Sequence, residues 1–66
     1  MKPETVKRIR HLHGLTQQEV ANMLGVSRST IHLIETNRMT MSERLRRKFC
    51  EVFKVDDEMI RFVERF

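Results

Sequence analysis

The tightest constraint on this chain is the stretch LTQQEVANMLGVSRSTIHLIETN, residues 15–37. It holds a helix start, a helix stop and a second helix start in quick succession. Thr16 with Glu19 three residues on makes a capping box: the threonine oxygen takes an orphan helix N–H and the glutamate reaches back to the cap. Leu15 before the cap and Val20 at the fourth helical position can close over it as a hydrophobic staple. Gly25 suits the left-handed backbone that ends a helix, and Ser27 is a favoured cap for the next one. The spacing predicts helices over residues 17–24 and 28–36, with Val26 as an apolar plug in a three-residue turn.

Periodicity then divides inside from outside. Val20, Ala21 and Leu24 face inward, Met23 partly so, and the small Ala21 lets a neighbouring helix cross closely. Ile31 and Ile34 face inward with Val26, so Arg28, Ser29, His32 and Leu33 form a short outer face at the start of their helix. Asn37 ends that helix, because Asn tolerates the left-handed conformation better than most residues. Two helices joined by a short Gly-containing turn have helix-turn-helix geometry. In such readers the first residues of the second helix meet base edges in the major groove.

The flanks read as further helices. Pro3 fits a first helical turn, Val6, Ile9 and Leu12 make an apolar stripe with His13 beside it, and Gly14 stops the helix, predicting residues 3–13. Thr40 and Glu43 repeat the T-x-x-E box and predict a helix from Met41. Its stripe is Leu45, Phe49, Val52 and Phe53, with Cys50 on the flank as a small hydrophobe and Arg44, Arg46, Arg47 and Lys48 on the solvated side. Asp56 caps a last helix over residues 57–65, with Asp57 and Glu58 in its first turn and Arg65 in its last, as the helix dipole prefers. That helix is too apolar for one buried face. Ile60 and Val63 complete the core, whereas Met59, Phe62 and Phe66 are either core as well or a homodimer interface.

Sixty-six residues make a single domain, 1–66, and chains this small bury only about 60% of their unfolded surface. With one Pro and two Gly, the fold class is all-α. The lone Cys50 rules out an internal disulfide and a thiolate zinc site, and suits a reducing cytoplasm. His11, His13 and His32 lack the supporting pattern of a metal site, so no metal and no cofactor are expected. No apolar run could span a membrane, and MKPETVKRIR lacks the apolar stretch of a signal peptide. Residues 1–54 carry eleven Lys/Arg against five Asp/Glu, while residues 55–66 carry two against four, within a net +4. A basic body with an acidic end suggests a polyanion on one side. There is no phosphate loop, no nucleophile–His arrangement and no pair of acids on an enclosed face, so an enzyme is not expected.

Residues Leu15-Thr16-Gln17-Gln18-Glu19-Val20-Ala21, Gly25-Val26-Ser27-Arg28-Ser29-Thr30-Ile31 and Ile34-Glu35 resemble the Cro/phage-repressor (XRE) helix-turn-helix family, over about residues 4–60. The resemblance implies a five-helix, lambda-repressor-like DNA-binding domain with the motif in helices 2 and 3, residues 16–36. It implies a transcriptional regulator, most often a repressor, bound as a homodimer to a near-palindromic operator in double-stranded DNA. By matched position it implies base contacts from Arg28, Ser29, His32 and Leu33. Phosphate contacts fall to Gln17, Thr30, Asn37, Arg38 and Thr40, with Arg44 within reach at the start of helix 4. Arg10 and Glu35 match a buried ion pair. Asn37 stands where the family usually has Gly. Leu33 stands where a polar base reader is common: it could pack on thymine methyl groups, or mean that this face reads little or binds protein. The alternative function is a protein-interaction module of the same fold, an antitoxin or an antagonist of another regulator, acting through the last helix.

Overall fold

The computed structural model describes residues 1–65; Phe66, the third member of the C-terminal apolar stripe, lies outside the described residues. Among these residues the chain forms five helices and no strand: α1 Pro3–Leu12, α2 Gln17–Leu24, α3 Arg28–Glu35, α4 Glu43–Phe53 and α5 Asp57–Glu64. The all-helical, five-helix architecture is the one the apolar spacing implies.

Local chemistry sets most boundaries. Thr16 Oγ1 accepts the Glu19 N–H at 3.1 Å and Glu19 Oε1 accepts the Thr16 N–H at 2.9 Å, so the capping box is reciprocal. Gly25, at φ 71°, turns the chain out of α2. The N–H groups of Val26 and Gly25 then bond back to the carbonyls of Ala21 and Asn22 at 3.0 and 3.3 Å, the Schellman pattern that satisfies helix-end carbonyls. Ser27 caps α3 through the Thr30 N–H and Asp56 caps α5 through the Met59 N–H. Asn37 has φ 60°, the left-handed turn expected of it.

Three expectations at the flanks are corrected. Helix 4 begins at Glu43, not Met41, because Ser42 is the cap and its Oγ accepts the Leu45 N–H at 3.1 Å. Serine caps as well as threonine, and starting there frees Met41 to pack against the core as part of the connection. Leu12 is 77% exposed instead of lying on an inner stripe. Positions three apart drift around a helix of 3.6 residues per turn, and the buried face of α1 is Thr5, Val6, Ile9 and Arg10. Arg65 lies just past the end of α5, one residue later than the turn that it was expected to close.

The core is Val6, Ile9, Val20, Ala21, Leu24, Ile31, Ile34, Phe49, Phe53, Val55 and Ile60, edged by Leu15, Val26, Met41, Leu45, Cys50 and Val52. Burying each of the larger side chains contributes about 1.5–3 kcal/mol. The Phe49 and Phe53 rings meet tilted by 46° with centroids 4.7 Å apart, and the exposed His13 ring, just past the end of α1, lies 5.1 Å from Phe53. α2 packs on α3 and α4, and α1 packs on α3 and α5. Ala21 is fully buried, as a close helix crossing requires. α1 lacks a side-chain cap of its own. Glu64 of α5 supplies one: its Oε2 accepts the Lys2 N–H at 2.9 Å and the Thr5 hydroxyl at 2.6 Å.

Candidate nucleic-acid interface

α3 is presented by what lies behind it. Ile31 and Ile34 anchor it to the core, and the Ser27 cap fixes its first turn. Arg28, Ser29 and His32 are exposed on the opposite side. Leu33, expected fully outside, is half-buried. Its carbonyl accepts the N–H groups of Arg38 and Met39 at 2.8 and 3.2 Å, so the residue helps to shape the turn after α3.

The residues that the resemblance assigns to phosphates surround this face in the sequence but differ in freedom. Asn37, Arg38, Thr40 and Arg44 are exposed. Thr30 is half-buried, and its Oγ1 lies 3.0 Å from Ser27 Oγ, within the cap of α3. Gln17, the first residue of α2, is also half-buried, and its Nε2 donates to Glu35 Oε1 at 3.1 Å. Two residues near the motif carry no DNA-facing role in the sequence pattern. Met39 is 41% exposed beside Arg38. Lys48 reaches from α4 to the helix-turn-helix turn, its Nζ 3.4 Å from where a Cβ on Gly25 would sit. The signal for Lys48 was its place one turn after Arg44 on α4; with Arg44 it edges a recess lined by Leu24, Gly25, Val26, Ser42 and Leu45.

Arg10 and Glu35 form a two-pronged pair, Nε to Oε2 at 2.8 Å and Nη2 to Oε1 at 3.0 Å, with side chains only 11% and 3% exposed. Arg10 Nη1 also donates to the Leu15 carbonyl at 2.9 Å. His11 Nε2 lies 3.3 Å from Arg10 Nη2; a guanidinium can only donate, so the imidazole nitrogen accepts there. Burial pushes the Glu35 carboxyl up, but the hydrogen bonds from Arg10 and Gln17 and the charge of Arg10 outweigh it and hold the carboxyl below the usual carboxylate value. The bond to Glu35 in turn raises Arg10. Among the described residues no buried side-chain nitrogen or oxygen lacks a partner.

A helix-turn-helix domain model matches residues 4–63, nearly the whole chain. The chain belongs to the helix-turn-helix family. A protein of Methanocaldococcus jannaschii described as an uncharacterized HTH-type transcriptional regulator is 44% identical over 55 residues, which cover 83% of each chain. No solved structure matches at a significant level. The Cro/phage-repressor resemblance carried by residues 15–35 agrees with this membership, and α2 and α3 are the two helices of the motif. Among the described residues no helix is long and apolar enough to cross a membrane, and no group of His, Cys, Asp and Glu could hold a metal.

Proposed function

We propose that this helix-turn-helix chain is a sequence-specific DNA-binding transcriptional regulator that acts as a homodimer and represses by occluding a promoter. The observation that carries the reading is the outer face of α3: Arg28, Ser29 and His32 stand exposed in its first turn and a half, behind a formed Ser27 cap. In helix-turn-helix readers that part of the second helix meets base edges. Arg28 fits guanine, the commonest specific partner of arginine, and Leu33 offers an apolar edge to a thymine methyl. Gln17, Thr30, Asn37, Arg38, Thr40 and Arg44 take the phosphate backbone, which positions the protein without reading sequence.

Symmetry supplies the rest. The longest dimension of the chain is 27 Å, shorter than the roughly 34–36 Å between half-sites one helical turn apart. One copy therefore covers one half-site. Met59 and Phe62 are 50% and 58% exposed on α5, the only helix with two large apolar side chains so exposed among the described residues. A two-fold pairing of this face with the same face of a second copy would cover both side chains. That pairing is isologous, as a two-fold dimer requires.

Selection of bound duplexes from a random DNA pool tests the reading. A recovered near-palindrome with half-sites about one turn apart is expected, and affinity should fall with salt by roughly −0.9 in log–log slope for each neutralised phosphate. Recovery of no sequence preference rejects specific regulation. The same exposed α5 residues favour a second reading, a protein-interaction module acting as an antitoxin or antagonist. Under that reading sedimentation finds a monomer at high concentration and α5 substitutions leave DNA binding unchanged.

A further inference from the structure

The buried carboxylate of Glu35, on α3, accepts three hydrogen bonds from two residues on two other helices. Arg10 of α1 takes both oxygens, at 2.8 and 3.0 Å, and Gln17 of α2 takes Oε1 at 3.1 Å. Arg10 alone balances the charge, so the ion pair does not require Gln17. The benefit runs the other way. A glutamine at the first position of a helix ordinarily samples many rotamers and both amide orientations. Here the choice is removed. A carboxylate can only accept, and so can an amide oxygen, so the amide must turn its nitrogen to Glu35. Nε2 carries two hydrogens; one is held by Glu35 and the second is left to donate elsewhere.

We propose that Glu35 is a positioning residue for DNA-backbone recognition: it holds the Gln17 amide in the orientation that offers its second N–H to a phosphate before DNA arrives. This rests on the DNA-binding reading given above and adds a residue that touches no nucleotide. Glu35 closes α3, whose first turns carry Arg28, Ser29 and His32, and Gln17 opens α2. Arg10 joins both to α1 and grips the Leu15 carbonyl just before the α2 cap at 2.9 Å. A phosphate bound by Gln17 is thereby tied through one carboxylate to the end of the helix that reads bases. The gain is preorganisation: ordering one long side chain on binding costs roughly threefold to tenfold in affinity, and Glu35 removes that cost in the free protein.

The test is a thermodynamic cycle. Binding to a short random-sequence duplex at low salt is measured by fluorescence anisotropy for the wild type, for Gln17→Ala, for Arg10→Met with Glu35→Leu, and for the three together. A random duplex suits a phosphate contact, which carries no sequence information. Replacing a buried ion pair by apolar side chains of similar volume usually preserves folding. With Gln17 present, the paired replacement should weaken binding about threefold to tenfold; in the Gln17→Ala background the same replacement should change it little. Equal losses in both backgrounds, or no loss in either, overturn the proposal. A wild type that binds no DNA at any salt overturns the DNA-binding reading and this inference with it, so the two failures are told apart. Should the apolar pair fail to fold, Glu35→Asp, which keeps the charge but retracts the carboxylate, replaces it in the same cycle. A readout independent of DNA accompanies it: the side-chain amide resonances of Gln17 should move on acid titration of Glu35. If they do not respond, the proposal fails.

Discussion

Removing the Glu35 side chain asks the most of this fold. In Glu35→Ala, Arg10 Nε loses its acceptor and Nη2 keeps only its 3.3 Å contact with His11, in a side chain 11% exposed; Nη1 alone retains the Leu15 carbonyl. Gln17 Nε2 loses its partner too. Stranding one member of a buried pair costs roughly 3–5 kcal/mol. Domains are stable by about 0.05–0.15 kcal/mol per residue, or roughly 3–10 kcal/mol for a chain of this length. The variant should therefore sit close to unfolding at 25 °C. Urea denaturation followed by circular dichroism at neutral pH measures the difference, and a loss below about 1 kcal/mol would refute the reasoning. The sign with pH follows from the lowered Glu35 carboxyl. Its ordinary value is 4.5; the stabilisation is fully present above that pH and is lost as pH falls through the lower folded value. Wild type should lose stability steeply in acid below about pH 4.5, and Glu35→Ala less steeply.

Other outcomes follow from named contacts. Ser42→Ala should cost about 1 kcal/mol in chemical denaturation and Thr40→Ala almost nothing, because only Ser42 caps α4. Arg28→Ala should relax preference at one base pair of a selected operator by about 1–3 kcal/mol, measured by competition between operator variants. Phe62→Glu should give a folded monomer with weak operator binding; sedimentation that still finds a dimer removes α5 from the interface. Lys54 sits in the left-handed region at φ 54° without being glycine, so Lys54→Gly should raise the melting midpoint, by the equivalent of about 0.5–1 kcal/mol.

The motif was legible in the sequence because its signals are local. Thr16, Glu19, Gly25 and Ser27 act on backbone groups within a few residues of themselves, so spacing alone places α2, the turn and the start of α3. Where two local signals competed, spacing could not decide: Thr40 and Ser42 are both good caps, and the packing of Met41 on the core selects the second. A stripe of every third residue misplaced Leu12 because it ignored the drift around the helix, which Thr5 and Arg10 reveal only once buried. Contacts across the fold left no mark on local pattern. The bond of Gln17 to Glu35, 18 residues apart, the reach of Lys48 to Gly25 and the hold of Glu64 on Thr5 all depend on how the helices pack.

That last contact has a consequence for how the fold holds together. In a capping box a glutamate three residues into a helix closes the helix's own start. α1 has Thr5 at that position, and the carboxylate comes instead from Glu64, 62 residues after Lys2. α1 thus borrows its N-terminal closure from the opposite end of the described chain. Undocking α5 would fray the first turn of α1, the helix that carries Arg10. First and last helices are in this way made to melt together, and a small domain gains all-or-none cohesion that its short helices could not provide one at a time.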